Sequence, residues 1–326
     1  MALKSFIGQK KITDKLRRAL SLGTLSHSYL FSGPEGIGKK TLARAFASEL
    51  VCTSPDTNGP CGNCNACKMF RAGIPTDYFW LQPEGDHVSV DDIRNIQSDI
   101  VIRPMYSERK IYVITGGDTM TVQAQNCLLK TLEEPPGYAV IILLAEKSES
   151  LLPTVMSRVI HYELEKYTKE DLSAILAQND IRISPEFLNA VYGYSEGVPG
   201  KAMDLIRSED FVQMREDMIR LILELIGDKL NIIDWANYFE NYKEKFAILL
   251  NILQLFYRDA LMIINSNKNS IINADKEDIA EKIAKSLDGR EIIRNIQHIS
   301  ETQVNIKRNA NYRLALENML LNLTEE

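Results

Sequence analysis

One segment limits the fold more than any other. Gly33-Pro34-Glu35-Gly36-Ile37-Gly38-Lys39-Lys40-Thr41 follows a short apolar run, Tyr29 to Phe31, and opens a stretch with helical spacing. A glycine-rich turn between a strand and a helix N-terminus is the context in which backbone N–H groups converge on phosphate oxygens, with the helix dipole adding to their pull. Lys39 stands where a lysine reaches the β/γ phosphates. The next position, which holds Ser or Thr where magnesium is bound, is Lys40, and Thr41 follows one place late. Gly33, Gly36, Gly38, Lys39, Lys40 and Thr41 thus form a candidate but altered nucleotide loop. A glycine turn that binds nothing is the plain alternative.

The segments around this loop agree with it. Apolar, β-prone stretches recur at 29–31, 78–81, 111–114, 140–144 and 159–162, most of them separated by segments of helical spacing. That alternation predicts a parallel sheet with crossover helices. Val90, Ile93, Ile96 and Ile100, spaced by three and four and preceded by Ser89 as a cap, mark one crossover; a second runs from about Thr121 to Glu133 and stops at Pro135-Pro136. Nine of the 11 prolines and 12 of the 17 glycines precede residue 163, so the back of the chain is predicted to be helical. Three short helices are expected at 168–178, 184–194 and 200–208, the second opened by Ser184-Pro185, and long amphipathic helices fill 210–324 around an asparagine-rich loop at 265–273.

Hydrolysis needs an acidic pair at the end of a later buried strand, one carboxylate for magnesium and one for water. The strand Lys110 to Ile114 ends instead in Thr115-Gly116-Gly117-Asp118. Asp118 is three residues too late and is expected to cap the next helix. Binding without turnover is the simplest reading. An active motor, with Thr41 serving magnesium and Asp118 serving water, is the alternative.

Cys52, Cys61, Cys64 and Cys67 supply four soft ligands within sixteen residues, with Gly59, Pro60 and Gly62 providing tight turns. Four thiolates suit tetrahedral Zn²⁺ and leave no open position, so a structural role is expected; an iron–sulfur cluster is the less favoured occupant. In a reducing cytosol such a cluster reads as metal before disulfide.

Charge excludes one class of function. Residues 1–162 carry 18 Lys+Arg against 16 Asp+Glu and the remainder 20 against 28, so the net charge of −6 is not that of an independent nucleic-acid binder. No uninterrupted apolar run of about 18 residues occurs, and the N-terminus lacks a secretory signal, so a cytoplasmic location without membrane contact is expected.

Several motifs in order are similar to one family. Leu25-Ser26-His27-Ser28-Tyr29-Leu30-Phe31-Ser32-Gly33, the phosphate loop, the cysteine knuckle, Asn126-Cys127-Leu128-Leu129-Lys130-Thr131-Leu132-Glu133-Glu134-Pro135-Pro136 and Ser157-Arg158-Val159 resemble the AAA+ clamp-loader family of bacterial DNA polymerase III, and within it the delta-prime branch. The resemblance covers about residues 1–208 by motif, and the helical remainder agrees with the family's collar in type and length.

It implies an α/β AAA+ module with a P-loop at 1–163, carrying the zinc knuckle at 52–67, then a small helical lid at 164–208 and an all-α C-terminal collar at 209–326. Motor subunits carry Asp-Glu where this chain has Thr115-Gly116, Ser/Thr where it has Lys40, and a sensor arginine near Gly200; all three are lost while Ser157-Arg158 is kept. The implied role is that of a non-hydrolysing subunit whose Arg158 completes a neighbour's ATP site in trans. Its partners would be the motor subunits and a delta-type subunit in a hetero-pentamer, with the sliding clamp and primed DNA reached through the complex. Whether ATP or ADP occupies the altered loop stays open. His27 reads as a packed strand-edge residue, and Glu133 and Glu134 as the end of a helix at a subunit interface. A free-standing zinc and nucleotide-binding adaptor is a third class of reading.

Overall fold

The five apolar stretches become five strands, β1 (Ser28–Ser32), β2 (Tyr78–Leu81), β3 (Lys110–Ile114), β4 (Ala139–Ala145) and β5 (Ile160–Glu163), in a computed structural model. It describes residues 2–324 apart from 57, 84, 86 and 228. The strands join in the order β2-β3-β4-β1-β5, and every pairing is parallel. β1, β3 and β4 are buried along their whole length, as expected of parallel strands covered on both faces. The predicted parallel sheet with crossover helices is what the chain forms.

Around the sheet run α1 (Lys10–Leu22), α2 (Lys39–Val51), α3 (Asn65–Ala72), α4 (Val90–Ile100), α5 (Val122–Glu133) and the single turn α6 (Pro153–Met156). Leu42, Phe46 and Leu50 of α2 pack with Tyr29, Phe31, Val113 and Ile142 on one face. Ile93, Ile96 and Ile100 of α4 and Leu128 of α5 pack with Leu30, Tyr112 and Leu143 on the other. Each such aliphatic side chain taken fully out of water contributes about 1.5–3 kcal/mol, which is why alternate residues of one strand anchor opposite helix layers. Ser89 caps α4 in a reciprocal box with Asp92, as its position predicts.

By internal contacts the chain divides into two units, Met1–Ile175 with Val198–Gly200, and Leu176–Gly197 with Lys201–Glu326. Residues 164–208 are therefore shared between them. They form α7 (Lys169–Gln178), α8 (Pro185–Ser195) and α9 (Pro199–Arg207), with Ser184 capping α8 and Pro185 at its first turn. In the second unit follow α10 (Glu209–Ile226), α11 (Ile232–Asn241), α12 (Phe246–Ile264), α13 (Glu277–Ser286), α14 (Gly289–Lys307) and α15 (Tyr312–Asn322).

Helix α12 has the length and apolar composition to cross a membrane. Its packing assigns it to a core instead: Leu249, Leu250, Leu253, Phe256 and Tyr257 are buried among the second unit's helices. Next to them Asp259, fully buried, accepts hydrogen bonds from the backbone of Ile272 and Asn273 and from the Asn273 amide at 3.0, 2.8 and 2.9 Å. Asn273 in turn accepts from Tyr194 of α8 at 2.8 Å and Arg215 of α10 at 2.9 Å, and Arg215 forks onto Asp275 at 2.8 and 3.0 Å. This network fastens α8 to α10 and α12, and burial raises the Tyr194 pKa so that the phenol stays a neutral donor.

Candidate functional site

The glycine turn begins where β1 ends. Gly33, Gly36 and Gly38 have φ of 138°, 77° and 106°, backbone that side-chain-bearing residues rarely adopt. Ile37 is fully buried between them and anchors the turn to the sheet layer. α2 starts at Lys39 with no acidic residue in its first turn. The six residues expected to form the loop are thus brought together, but they are not equally placed.

Lys39 turns back onto its own loop, donating from Nζ to the carbonyls of Gly33 at 2.6 Å and Pro34 at 3.0 Å. Burial lowers its pKa, against the raising pull of Glu146, Asp118 and Glu35. Lys40 and Thr41 are exposed on the first turn of α2. At the tip, the Gly200 N–H donates to the Gly36 carbonyl at 2.9 Å, and a Cβ on Gly200 would lie 2.6 Å from the Gly36 Cα. The position serves as a backbone contact that only glycine fits.

The ends of the other central strands complete the picture. β3 runs out into Thr115, whose hydroxyl donates to the Leu81 carbonyl at 2.8 Å, and Gly116, at φ 71°. Asp118 does not cap the next helix, contrary to expectation. Gly117–Thr119 form a 3-10 turn and Met120 is buried, so α5 starts later and Thr121 is its cap, accepting from Ala124 N–H. The Asp118 carboxylate instead accepts the Glu146 N–H at 2.9 Å, tying the β3 exit to the β4 exit. It lies close enough to Lys39 to act on it electrostatically, yet its oxygen is committed to backbone.

Arg158 sits at the other end of β1, between α6 and β5. Its N–H donates to the Val155 carbonyl at 3.0 Å, and its own carbonyl accepts from Ser28 Oγ at 2.5 Å. The side chain is 34% exposed. Nη1 donates to the Thr154 carbonyl at 2.8 Å and to Ser157 Oγ at 3.2 Å, while Nη2 lies 2.6 Å from Glu133 Oε1. Glu133 and Glu134 do end a helix, as residue type and position suggest, Glu133 as the last residue of α5 and Glu134 as its C-cap. The pairing of Glu133 with Arg158 was not foreseen, and no local periodicity signals a contact between residues that far apart in the chain. His27 precedes β1 at the strand edge as expected, with Nδ1 3.4 Å from the Ala139 carbonyl, but its ring is exposed rather than packed.

Cys52, Cys61, Cys64 and Cys67 converge so that all four sulfurs lie within 4.8 Å of one another. The chain builds this by ending α2 at Cys52, turning through Gly59 and Gly62 at φ 124° and 74°, and starting α3 at Cys64. Backbone N–H groups of Cys61, Cys64 and Cys67 point at the sulfurs of Cys52, Cys61 and Cys64 at 3.2, 3.4 and 3.4 Å. Such donors favour thiolate. For Cys64 burial opposes them, but the N–H groups of Thr53 and Cys67 outweigh it and bring the pKa to about 6, while burial pushes Cys67 up to about 12. Donor set, spacing and N–H···S contacts fit one tetrahedral ion with no position left for substrate.

Comparison with known proteins gives a consistent outcome. The family described as DNA polymerase III, delta subunit, matches residues 8–168, and the one described as DNA polymerase III, delta subunit, C terminal, matches residues 209–325. DNA polymerase III subunit delta-prime of Bacillus subtilis is 27% identical over 322 residues, spanning 97% of this chain and 96% of that protein. The delta-prime subunit of Pseudomonas aeruginosa is 40% identical over 137 residues, 41% of this chain and 42% of that protein. DNA polymerase III subunit gamma of Buchnera aphidicola is 31% identical over 230 residues, 69% of this chain and 63% of that protein. Among solved structures, a DNA polymerase III gamma-subunit-related protein of Thermotoga maritima aligns with 95% of this chain and 99% of its own at a TM-score of 0.49 and 20% identity.

Proposed function

The chain belongs to the DNA polymerase III delta-subunit family, and on that footing we propose that it is a clamp-loader subunit that turns over no ATP of its own. Its work is to brace a hetero-pentamer with motor subunits and a delta-type subunit, and to supply Arg158 to a neighbour's ATP site while a sliding clamp is loaded on primed DNA in the cytoplasm. One observation carries this reading. The strand next to β4, which ought to present the metal-binding and water-orienting carboxylates, ends in Thr115 and Gly116, and the hydroxyl of Thr115 is already bonded to Leu81. The one nearby carboxylate in sequence, Asp118, is held by the Glu146 N–H.

In such an assembly the chemistry of this chain is electrostatic. A guanidinium brought to a γ-phosphate stabilises the negative charge that spreads over its oxygens in the transition state. Arg158 is suited to this because its backbone is fixed to β1 through Ser28 and its side chain reaches an exposed edge. Lys39 and the loop glycines would hold a nucleotide only if Lys39 left the Gly33 and Pro34 carbonyls.

The test is steady-state ATP hydrolysis by the assembled loader containing Arg158→Ala, with clamp and primed DNA present. Turnover should collapse while assembly stays intact; undiminished turnover refutes the trans role. Zn²⁺ at the four cysteines would be structural, closing the Cys52–Cys67 excursion and ordering α3. Metal analysis should find close to one zinc per chain, and chelation should lower the melting temperature of the front unit. Metal-free protein of equal stability rules that out.

A further inference from the structure

The Arg158 corner holds one partner that the trans role leaves unused. Both arms of the guanidinium are docked on its own subunit: Nη2 lies 2.6 Å from Glu133 Oε1, and Nη1 donates to the Thr154 carbonyl and to Ser157 Oγ. The backbone on both sides is fixed. Arg158 is fastened through Val155 and Ser28, and Glu133 ends a helix whose Leu128 and Leu132 are buried against the sheet. Only the two side chains are free to rearrange.

Resting on the reading that Arg158 acts in trans, we propose that Glu133 is a positioning residue that latches the Arg158 guanidinium to its own subunit and yields it to a neighbour's γ-phosphate. A carboxylate at this distance cancels much of the field that the cation would project, so a latched arginine stabilises an incoming phosphate poorly. A γ-phosphate carries more negative charge than a carboxylate and offers three oxygens to the planar fork. It displaces Glu133 when the neighbouring site is loaded, and Glu133 recaptures the guanidinium when phosphate leaves. The Thr154 carbonyl, on the other arm, guides that movement without opposing the charge.

The exposure of the pair sets its strength. With side chains 34% and 49% exposed it is screened by solvent, and pairs of this kind shift an equilibrium by about fivefold at most. The latch is therefore light: it lowers turnover by misaligned neighbours without locking the arginine away.

The loader is reconstituted with Glu133→Gln, which removes the charge and keeps an acceptor, with Glu133→Ala, which removes both, with Arg158→Ala, and with the Glu133→Gln, Arg158→Ala double change. kcat and KM for ATP are measured with clamp and primed DNA at low and high salt, and the Arg158 Nε–H resonance is followed by NMR in the isolated chain. Both Glu133 changes should raise kcat/KM by about two- to fivefold at low salt, with the gain shrinking as salt screens the pair and absent from the Arg158→Ala background. The Arg158 Nε–H signal should lose its distinct position once Glu133 is neutral. Unchanged or lowered turnover in both Glu133 variants, with turnover still lost in Arg158→Ala, overturns the latch and leaves the trans arginine standing. Undiminished turnover in Arg158→Ala overturns both.

Discussion

Lys39 and Arg158 are two cations at opposite ends of β1, and the fold treats them in opposite ways. Lys39 is drawn in, its ammonium spent on two carbonyls of its own loop and its pKa lowered by burial. Arg158 is held at an edge, with backbone pinned and side chain one-third exposed beside a single carboxylate. The ammonium of Lys39 is met by neutral carbonyls of its own loop, whereas the charge of Arg158 is balanced by one carboxylate at an exposed edge. On the proposed reading, the difference is that between a loop serving as architecture and a residue presented to another subunit.

The comparison can be broken most decisively at Arg158. Replacing it by alanine should lower turnover at the one ATP site it completes by about three orders of magnitude or more, the range in which trans-supplied arginines act. Arg158→Lys, which keeps the charge and loses the fork, should leave most of that loss in place. At the loop, Gly200→Ala places a methyl 2.6 Å from the Gly36 Cα. Overpacking of this kind costs about 1–3 kcal/mol, so thermal denaturation should show the front unit melting roughly 2–10 °C lower. Unaltered melting would mean that the α9 start and the loop tip part easily. The smallest effect on turnover is expected from Lys39→Ala: the loader should change by less than about twofold, because arginine and not the loop carries the transition-state charge, while the isolated chain hydrolyses no ATP with or without the lysine. Hydrolysis by the isolated chain that disappears on removing Lys39 would turn the comparison around and make the loop a working motor site.

Much of this was readable along the chain, and the residues show why. β2, the α4 crossover and the Ser184 cap were legible because period and capping are local properties, set by neighbours within about four residues. The cysteine knuckle was legible because spacing alone places four thiols. Asp118 was misread because its sequence neighbourhood looks like a cap, while the Glu146 N–H that claims it arrives from a different strand. Glu133 was invisible as a partner of Arg158 for the same reason, as was the buried Asp77 carboxylate, which receives the N–H groups of Met105, Tyr106 and Ser107 at 2.6, 2.6 and 2.7 Å. Tertiary pairing leaves no mark on periodicity. Likewise the Tyr194–Asn273–Arg215 network, which binds α8 to the later helices, joins residues that no window of the sequence contains together.

The Ser28–Arg158 hydrogen bond has an evolutionary consequence. β1 is fully buried from Ser28 to Ser32, and it carries the arginine at one end and the glycine turn at the other. Erosion of the loop is thereby confined to what the strand can tolerate. Glu35, Lys40 and Thr41 face solvent, whereas Phe31, Ser32 and Ile37 are buried in the layer that seats Arg158, and Gly36 is held by its positive φ and its contact with Gly200. If the proposed role holds, the outline of the loop has to be kept even where its own ATP chemistry is not used, because the residue that would serve the neighbour is anchored to the same strand.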